Sequence, residues 1–95
     1  MSPVKLEWDE GKNRSNVRKH GFNFEAAEIA FDGPMIFKAD LRGDYGEDRW
    51  LGLGMVNGTL VMIAFVDLGH DRVRILSIRK ANAKEKRDYE EGTRD

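Results

Sequence analysis

The chain contains no cysteine and only two prolines in its 95 residues. The absence of cysteine excludes disulfide bonds, cysteine-ligated zinc sites and thiol chemistry. No apolar run approaches the roughly 20 residues that a membrane-spanning helix needs. The N-terminus, MSPVKLEWDE, lacks the apolar core of a signal peptide, so we expect a cytoplasmic protein. An excess of one charge is also missing, because 16 Lys and Arg nearly balance 17 Asp and Glu. The net charge of -1 argues against general attraction to nucleic acid or membranes.

The composition predicts one small globular domain over residues 1–95. Hydrophobic residues make up 40% of the chain and charged residues 35%, as in folded rather than disordered proteins. A chain of this size buries roughly 60–65% of its unfolded surface, enough for one modest core. We find no internal repeat, low-complexity tract or Pro/Gly-rich linker that divides it.

Hydrophobic periodicity and capping signals predict an α+β domain with the order strand, helix, helix, four strands, helix. Asp9, Asn23 and Asn82 are the expected helix N-caps, and Glu85 completes a capping box with Asn82. The predicted elements are a strand over 4–8, helices over 10–20 and 23–31, strands over 35–40, 49–56, 59–67 and 73–78, and a helix over 83–92.

Asn57-Gly58 is the strongest turn signal in the chain, because this pair readily adopts the positive φ angles of a two-residue hairpin. The turn sets the strand register and places Gly52 opposite Ile63. Gly52 and Gly54 then lie on one face and leave a trough that a helix can approach closely. The strand after the turn is apolar throughout its centre, so we expect it to be central and covered on both sides.

The last predicted strand carries arginine at positions 72, 74 and 79. A guanidinium group fits phosphate oxygens and is costly to desolvate, so this concentration indicates a localised anion site. In a regular strand Arg72 and Arg74 share a face, and Arg79 points the other way unless a twist or bulge re-aims it. The alternative interpretation is that these arginines form ion pairs at the rim of the sheet.

Glu47 and Arg49 stand two residues apart at the start of a strand, so both can face the same way. A carboxylate beside a guanidinium suits a proton-accepting base held next to a phosphate-binding cation. It equally suits a solvated ion pair, which would stabilise the fold by less than about 1 kcal/mol.

The first helix is unusual because Val17 is its only large apolar residue. Steps of four place Lys12, Asn16 and His20 in one polar row. His20 is a natural proton shuttle, since histidine titrates near neutrality. It can also serve simply as a cation at the helix C-terminus, where the dipole favours positive charge.

No other motif predicts a metal or cofactor site. Asp67, His70 and Asp71 match no metal-ligand spacing. The Gly-Leu-Gly sequence at 52–54 lies inside a predicted strand and lacks the rest of a nucleotide-binding fingerprint. We therefore expect neither a metal nor a cofactor.

Several segments together resemble the BrnT family of toxins from type II toxin–antitoxin pairs. They are LEWDEGKNRSNVRKHGFNFEAAEIAFDG near the N-terminus, EDR at 47–49 and RVRILSIRKANAKEKRDY at 72–89. No single piece is specific, but their order and spacing extend over nearly the whole chain.

The resemblance implies a RelE-like fold, with a twisted, mainly antiparallel sheet of four to five strands flanked by helices. It also implies an endoribonuclease that needs no metal and arrests translation, in which the ribose 2′-hydroxyl attacks the neighbouring phosphate. The implied partners are RNA and a BrnA-like ribbon-helix-helix antitoxin, forming a heterotetramer that contacts DNA only through the antitoxin. No contact with membranes is implied.

Transferred onto this sequence, the resemblance gives roles to eight residues. The proton-transfer candidates are Glu47 and His20, and the phosphate-binding candidates are Arg49, Arg74 and Arg79. The candidates for contacts elsewhere on the RNA are Lys12, Lys19 and Tyr89, although a helix tyrosine is more often a packing residue. The competing hypothesis is a non-catalytic binding module or corepressor, whose arginine cluster grips an acidic partner.

Overall fold

The computed structural model describes residues 4–94, and its helices and strands follow the predicted order. The elements are β1 (Lys5–Glu7), α1 (Glu10–His20), a 3-10 turn (Phe24–Ala26), α2 (Ala27–Phe31), β2 (Ile36–Ala39), β3 (Arg49–Val56), β4 (Thr59–Gly69), β5 (Arg72–Lys80) and α3 (Ala83–Thr93). None of the helices within these residues is long and apolar enough to cross a membrane.

The strands form one five-stranded sheet in the order β1-β5-β4-β3-β2. β1 pairs with β5 in parallel, and the other neighbours are antiparallel. The hairpin prediction is confirmed: Asn57 and Gly58 have φ angles of 49° and 85°, and Gly52 lies opposite Ile63. β4 is central, as its apolar sequence predicts.

The trough over Gly52 and Gly54 is occupied by α2 and by the residues that follow it. A Cβ atom on Gly54 would lie 3.1 Å from the Cβ of Ala30 and 3.0 Å from Cγ of Met35. A Cβ atom on Gly52 would lie 2.9 Å from Cε of Met35. The two glycines therefore allow the helix and the loop after it to approach the sheet closely.

The core lies on both faces of β4. On one face, the β4 side chains of Val61, Ile63 and Phe65 pack in the larger cluster with Phe24 and Ala27. On the other face, Leu60 and Met62 of β4 form a smaller cluster with Leu53, against which Tyr89 of α3 packs. The two faces of the sheet are thus covered by different helices.

The polar row on α1 is explained partly by packing. The side-chain amide of buried Asn16 donates to the carbonyls of Ile78 and Phe22, at 3.0 and 2.9 Å, and accepts from the Ile78 N–H at 3.0 Å. β1 pairs with residues 72–74 of β5, and Asn16 bonds the backbone of β5 beyond that pairing. The Asn16 amide therefore makes the backbone hydrogen bonds to Ile78 that a neighbouring strand would otherwise make.

The predicted N-caps are confirmed, including the capping box of Asn82 and Glu85. Two predicted boundaries are wrong. The second helix begins as a 3-10 turn, and the predicted loop after 67 is a tight hairpin. Gly69, His70 and Asp71 have φ angles of 79°, 55° and 60°. Because this left-handed run reverses the chain within a few residues, the flanking strands extend further than their hydrophobic pattern predicts.

Candidate active site

A β-bulge places the three candidate phosphate-binding arginines on one face of the sheet. Along β5, Ile75 pairs with Phe65 and Ser77 pairs with Ala64, so Leu76 is an extra residue. The bulge shifts the alternation, and Arg79 lies on the same face as Arg74 rather than opposite to it. The pairs Arg74–Val66 and Val66–Arg49 put Arg49 on this face as well. We call this surface the arginine face.

Val66 lies between Arg74 and Arg49 as their shared cross-strand neighbour. Two strand spacings separate the backbones of the two arginines by about 10 Å. Val66 belongs to neither core cluster, yet only 3% of it is exposed. We infer that the apolar stems of the arginines cover it while their guanidinium groups remain in solvent.

Arg79 is held by α3. Its two terminal nitrogens donate to the two carboxylate oxygens of Glu85, at 2.9 and 2.8 Å, and Nη1 also donates to the carbonyl of Lys80. This forked pair lowers the pKa of Glu85 below its ordinary value and raises that of Arg79. Glu85 also closes the capping box of α3, so the same carboxylate fixes the helix start and the arginine.

Arg72 and Arg74 share one carboxylate from β1. Nη2 of Arg72 lies 2.8 Å from Oε1 of Glu7, and Nη2 of Arg74 lies 3.4 Å from Oε2. The hydrogen bond from Arg72 is the main cause of a lowered pKa at Glu7, with a further contribution from Arg74. All three side chains are exposed enough for solvent to screen these pairs.

Glu47 and Arg49 do form the contact that their spacing predicts. Nε of Arg49 donates to Oε2 of Glu47 at 3.0 Å. The guanidinium carbon of Arg49 also lies 3.8 Å from the ring centroid of Tyr45, a cation–π contact from the same loop. The candidate base Glu47 and the candidate phosphate-binding cation Arg49 are therefore adjacent.

Asp40 and Arg42 form a further charged pair that sequence reasoning missed. The Asp40 carboxylate is only 1% exposed, whereas the Arg42 side chain is 63% exposed. Nε and Nη2 of Arg42 donate to the two Asp40 oxygens at 2.7 and 2.6 Å, which lowers the pKa of Asp40. The backbone N–H of Asp40 donates to the carbonyl of Arg49 at 2.9 Å, which places this pair beside Arg49 on the arginine face. Asp40 and Arg42 stand two residues apart, as Glu47 and Arg49 do, and this spacing is the one signal in the sequence that could have indicated the pair.

The α1 candidates lie on the helix that is bonded to β5 through Asn16. Lys12, Lys19 and His20 are exposed, and their side chains form no hydrogen bond or ion pair with any of residues 4–94. Tyr89 is a packing residue in this structure. Its ring packs on the smaller core cluster, and its hydroxyl donates to the carbonyl of Pro34 at 2.9 Å.

The profile of the family described as "Ribonuclease toxin, BrnT, of type II toxin-antitoxin system" matches residues 8–85. The chain belongs to the BrnT family. Among solved structures it is similar to the ribonuclease toxin BrnT of Brucella abortus, with a TM-score of 0.62 and 26% sequence identity. That match covers 83% of this chain and 97% of the Brucella BrnT chain. No curated protein sequence matches the chain.

Membership of the BrnT family confirms two expectations from the sequence. The α+β architecture, with a five-stranded mixed sheet and helices on both faces, matches the Brucella BrnT structure. The family is one of ribonuclease toxins and, being part of a type II toxin–antitoxin system, implies an antitoxin partner.

Proposed function

We propose that this toxin cleaves RNA at the arginine face by a metal-independent attack of the ribose 2′-hydroxyl on the adjacent phosphate. The observation that carries the proposal is the bulge at Leu76, which aligns Arg79 with Arg74 and Arg49. Guanidinium groups offer paired donors that match the oxygens of a phosphate. Three of them on one exposed sheet face suit a single RNA backbone segment.

The reaction needs a base, cations and an acid. The base takes the 2′-hydroxyl proton, the 2′-oxygen forms a bond to phosphorus, and the bond from phosphorus to the 5′-oxygen breaks. The leaving 5′-oxygen takes a proton, which gives a 2′,3′-cyclic phosphate and a free 5′-hydroxyl. General acid–base assistance contributes about 10²–10⁴-fold to such a step. Cations aimed at the developing phosphorane charge contribute a comparable factor, on the order of 10²–10³-fold each.

Glu47 is the better-supported proton carrier, because its carboxylate contacts Arg49 at 3.0 Å. A substrate phosphate bound by Arg49 would therefore bring the reacting 2′-hydroxyl close to Glu47. His20 is the alternative carrier, but its side chain forms no hydrogen bond or ion pair with residues 4–94. Lys12 and Lys19, exposed on the same helix as His20, suit contacts with more distant phosphates.

The ion pairs on this face must open when RNA binds. Solvent screens exposed pairs such as those of Glu7, so a phosphate can replace the carboxylate at small cost. The fork between Arg79 and Glu85 is less exposed and should open last. The pairs hold each guanidinium in position before substrate arrives, which is preorganisation of the kind that charge stabilisation requires.

The antitoxin is proposed to be a BrnA-like ribbon-helix-helix protein. Together they would form a cytoplasmic heterotetramer that reaches operator DNA through the antitoxin alone. The family description supports an antitoxin partner. The balanced charge of the toxin supports the view that it does not bind DNA by itself.

The deciding experiment is RNA cleavage by the purified toxin in excess chelator, together with growth arrest on expression. We expect Arg74→Ala and Arg79→Ala to lower the cleavage rate by on the order of 10²-fold each. Lys84→Ala, which removes a cation of the exposed α3 pair with Asp88, is the matched control and should cleave normally. Full toxicity in both arginine variants would show that the assigned site is wrong.

A non-catalytic binding module is the second candidate, favoured by the fact that each arginine of this face already has a carboxylate partner. Such a module would grip an acidic protein by exchanging one carboxylate for another. Charge reversal at Arg74 would then abolish the complex, while no RNA cleavage would appear in any variant.

A further inference from the structure

The face of the sheet opposite the arginines carries a second feature, a cavity of about 640 Å³ that the proposed chemistry does not use. Its walls are aromatic, formed by Phe31, Phe37, Trp50 and Phe65. We call it the aromatic pocket. Phe65 stands edge-on to both Phe31 and Phe37, with ring centroids 5.3 and 5.9 Å apart, so these walls pack against one another.

The pocket leaves aromatic surface open to solvent. Phe37 is 51% exposed, although it belongs to a strand of the sheet. The indole N–H of Trp50 bonds to none of residues 4–94, which leaves a donor available to a ligand. Exposed aromatic surface of this kind on a small domain marks an interaction site, and aromatic residues dominate the energetics of protein interfaces.

The rim of the pocket is acidic. It carries Asp32, Asp67 and Asp71, together with His70. Within residues 4–94 none of these carboxylates lies at ion-pair distance from a lysine or arginine, and Asp67 accepts only the N–H of Gly69. Unpaired carboxylates repel RNA phosphates and attract cationic side chains. A fitting occupant is therefore apolar or aromatic at its centre and basic at its edge.

We propose that the aromatic pocket is a docking site for an apolar, basic segment of the antitoxin. Charge complementarity with the three rim carboxylates selects this occupant, and an inserted Lys or Arg could also stack on Trp50 or Phe37. The inference rests on the antitoxin partner that the family implies, and not on the proposed RNA chemistry. The pocket and the arginine face occupy opposite sides of the same strands, since Trp50 follows Arg49 and Phe65 precedes Val66.

The test measures binding of the full-length toxin to the antitoxin expressed from the reading frame beside the toxin gene. In isothermal titration calorimetry, Phe37→Ser should weaken antitoxin binding roughly 30-fold, because it removes an aromatic side chain that anchors the partner. Asp32→Lys should weaken it roughly tenfold and flatten its dependence on salt, because it reverses a rim charge. Glu28→Lys is the matched control, since it makes the same charge change on α2 outside the pocket and should bind normally.

Two separate readouts make the result decisive. RNA cleavage by Asp32→Lys and Phe37→Ser should match wild type. The docking proposal can therefore fail while the nuclease proposal stands, and the nuclease proposal can fail while the docking proposal stands. Normal antitoxin affinity in both pocket variants, with loss of binding in Arg74→Glu, would place the antitoxin on the arginine face and overturn the inference. If wild type forms a homodimer on gel filtration and the pocket variants do not, while their antitoxin affinity is normal, the occupant of the pocket is a second toxin chain and the inference is overturned. Should Phe37→Ser unfold on thermal analysis, Asp32→Lys and its salt dependence decide alone.

Discussion

The two faces of the sheet arrange charge in opposite ways. On the arginine face each guanidinium has a carboxylate partner: Arg72 and Arg74 with Glu7, Arg49 with Glu47, Arg79 with Glu85 and Arg42 with Asp40. Around the aromatic pocket the three rim carboxylates have no such partner within residues 4–94. The net charge of -1 is therefore the sum over two surfaces, one with paired arginines and one with unpaired acids.

This difference shows why whole-molecule charge is a poor guide to binding here. Arginines held by carboxylates are fixed in direction but partly neutralised, so only a ligand that offers several phosphates at matching positions gains from displacing the acids. We expect weak affinity for unstructured RNA and a strong dependence on how the RNA is presented. At the pocket face, in contrast, we expect the unpaired acids to repel RNA phosphates.

The largest effect should come from removing Glu47, the proposed proton carrier on the arginine face. Glu47→Gln keeps the size and hydrogen-bonding shape of the side chain but cannot take a proton. We expect the cleavage rate in single-turnover assays to fall by about 10²–10⁴-fold. His20→Gln should cleave within a few-fold of wild type, because the His20 side chain forms no hydrogen bond or ion pair with this face in residues 4–94.

The pair of variants discriminates between the two candidate carriers. A large loss in His20→Gln together with normal cleavage in Glu47→Gln would assign proton transfer to α1 and move the reaction away from Arg49. Glu28→Gln, an exposed change on α2, is the control for general effects of losing a carboxylate.

A smaller effect should come from Arg42→Ala, which tests how a buried acid differs from an exposed one on the same face. Removing Arg42 leaves the 1%-exposed carboxylate of Asp40 without its fork. We expect the free energy of unfolding in urea to fall by about 1–3 kcal/mol. Lys84→Ala breaks the exposed pair with Asp88 and should change it by less than about 0.5 kcal/mol.

The double variant Asp40→Asn, Arg42→Ala separates charge burial from a general loss of packing. An amide needs no counter-charge, so we expect the double variant to recover part of the stability that Arg42→Ala loses. Equal stability of the single and double variants would mean that the buried carboxylate does not depend on Arg42.

Much of the fold follows from local signals in the sequence. The pair Asn57-Gly58 sets the register of β3 and β4, and the apolar run of β4 places that strand at the centre. These signals act within a few residues, so they can be interpreted without knowing the rest of the chain. The contact of Asn16 with Ile78 spans 62 positions and has no local signature, which is why a structural amide resembled part of a functional row.

The candidate site was harder to predict because it depends on one irregularity. Alternation along a regular strand separates Arg74 from Arg79, and only the extra residue Leu76 brings them to one face. A bulge leaves no clear mark in an apolar strand. The Asp40 and Arg42 pair was missed for a different reason. Asp40 ends a predicted strand and Arg42 lies in the polar segment after it, and this local pattern does not indicate that the Asp40 carboxylate is buried.

The smallest effect should come from Glu85→Gln, which loosens Arg79 while leaving α3 intact. Glutamine can still close the capping box with Asn82, so the substitution removes only the charge pair. At neutral pH we expect a loss of about 1 kcal/mol or less, because the Arg79 side chain is 39% exposed and the pair is screened. RNA should bind slightly more tightly, since Arg79 no longer carries an internal counter-ion.

The pH dependence of stability should distinguish Glu85→Gln from wild type. The Arg79 fork lowers the folded-state pKa of Glu85 below 4.5, the value expected for an unperturbed carboxyl group. The stabilisation is therefore fully present above about pH 4.5 and is lost as the pH falls through the folded-state pKa. Wild type should lose more stability than Glu85→Gln between pH 7 and about pH 3, as measured by urea midpoints. Glu90→Gln, at an exposed position of α3, should keep the wild-type loss. Equal losses in wild type and Glu85→Gln would mean that Arg79 is already free in solution, and the contrast between paired arginines and unpaired rim acids would no longer hold there.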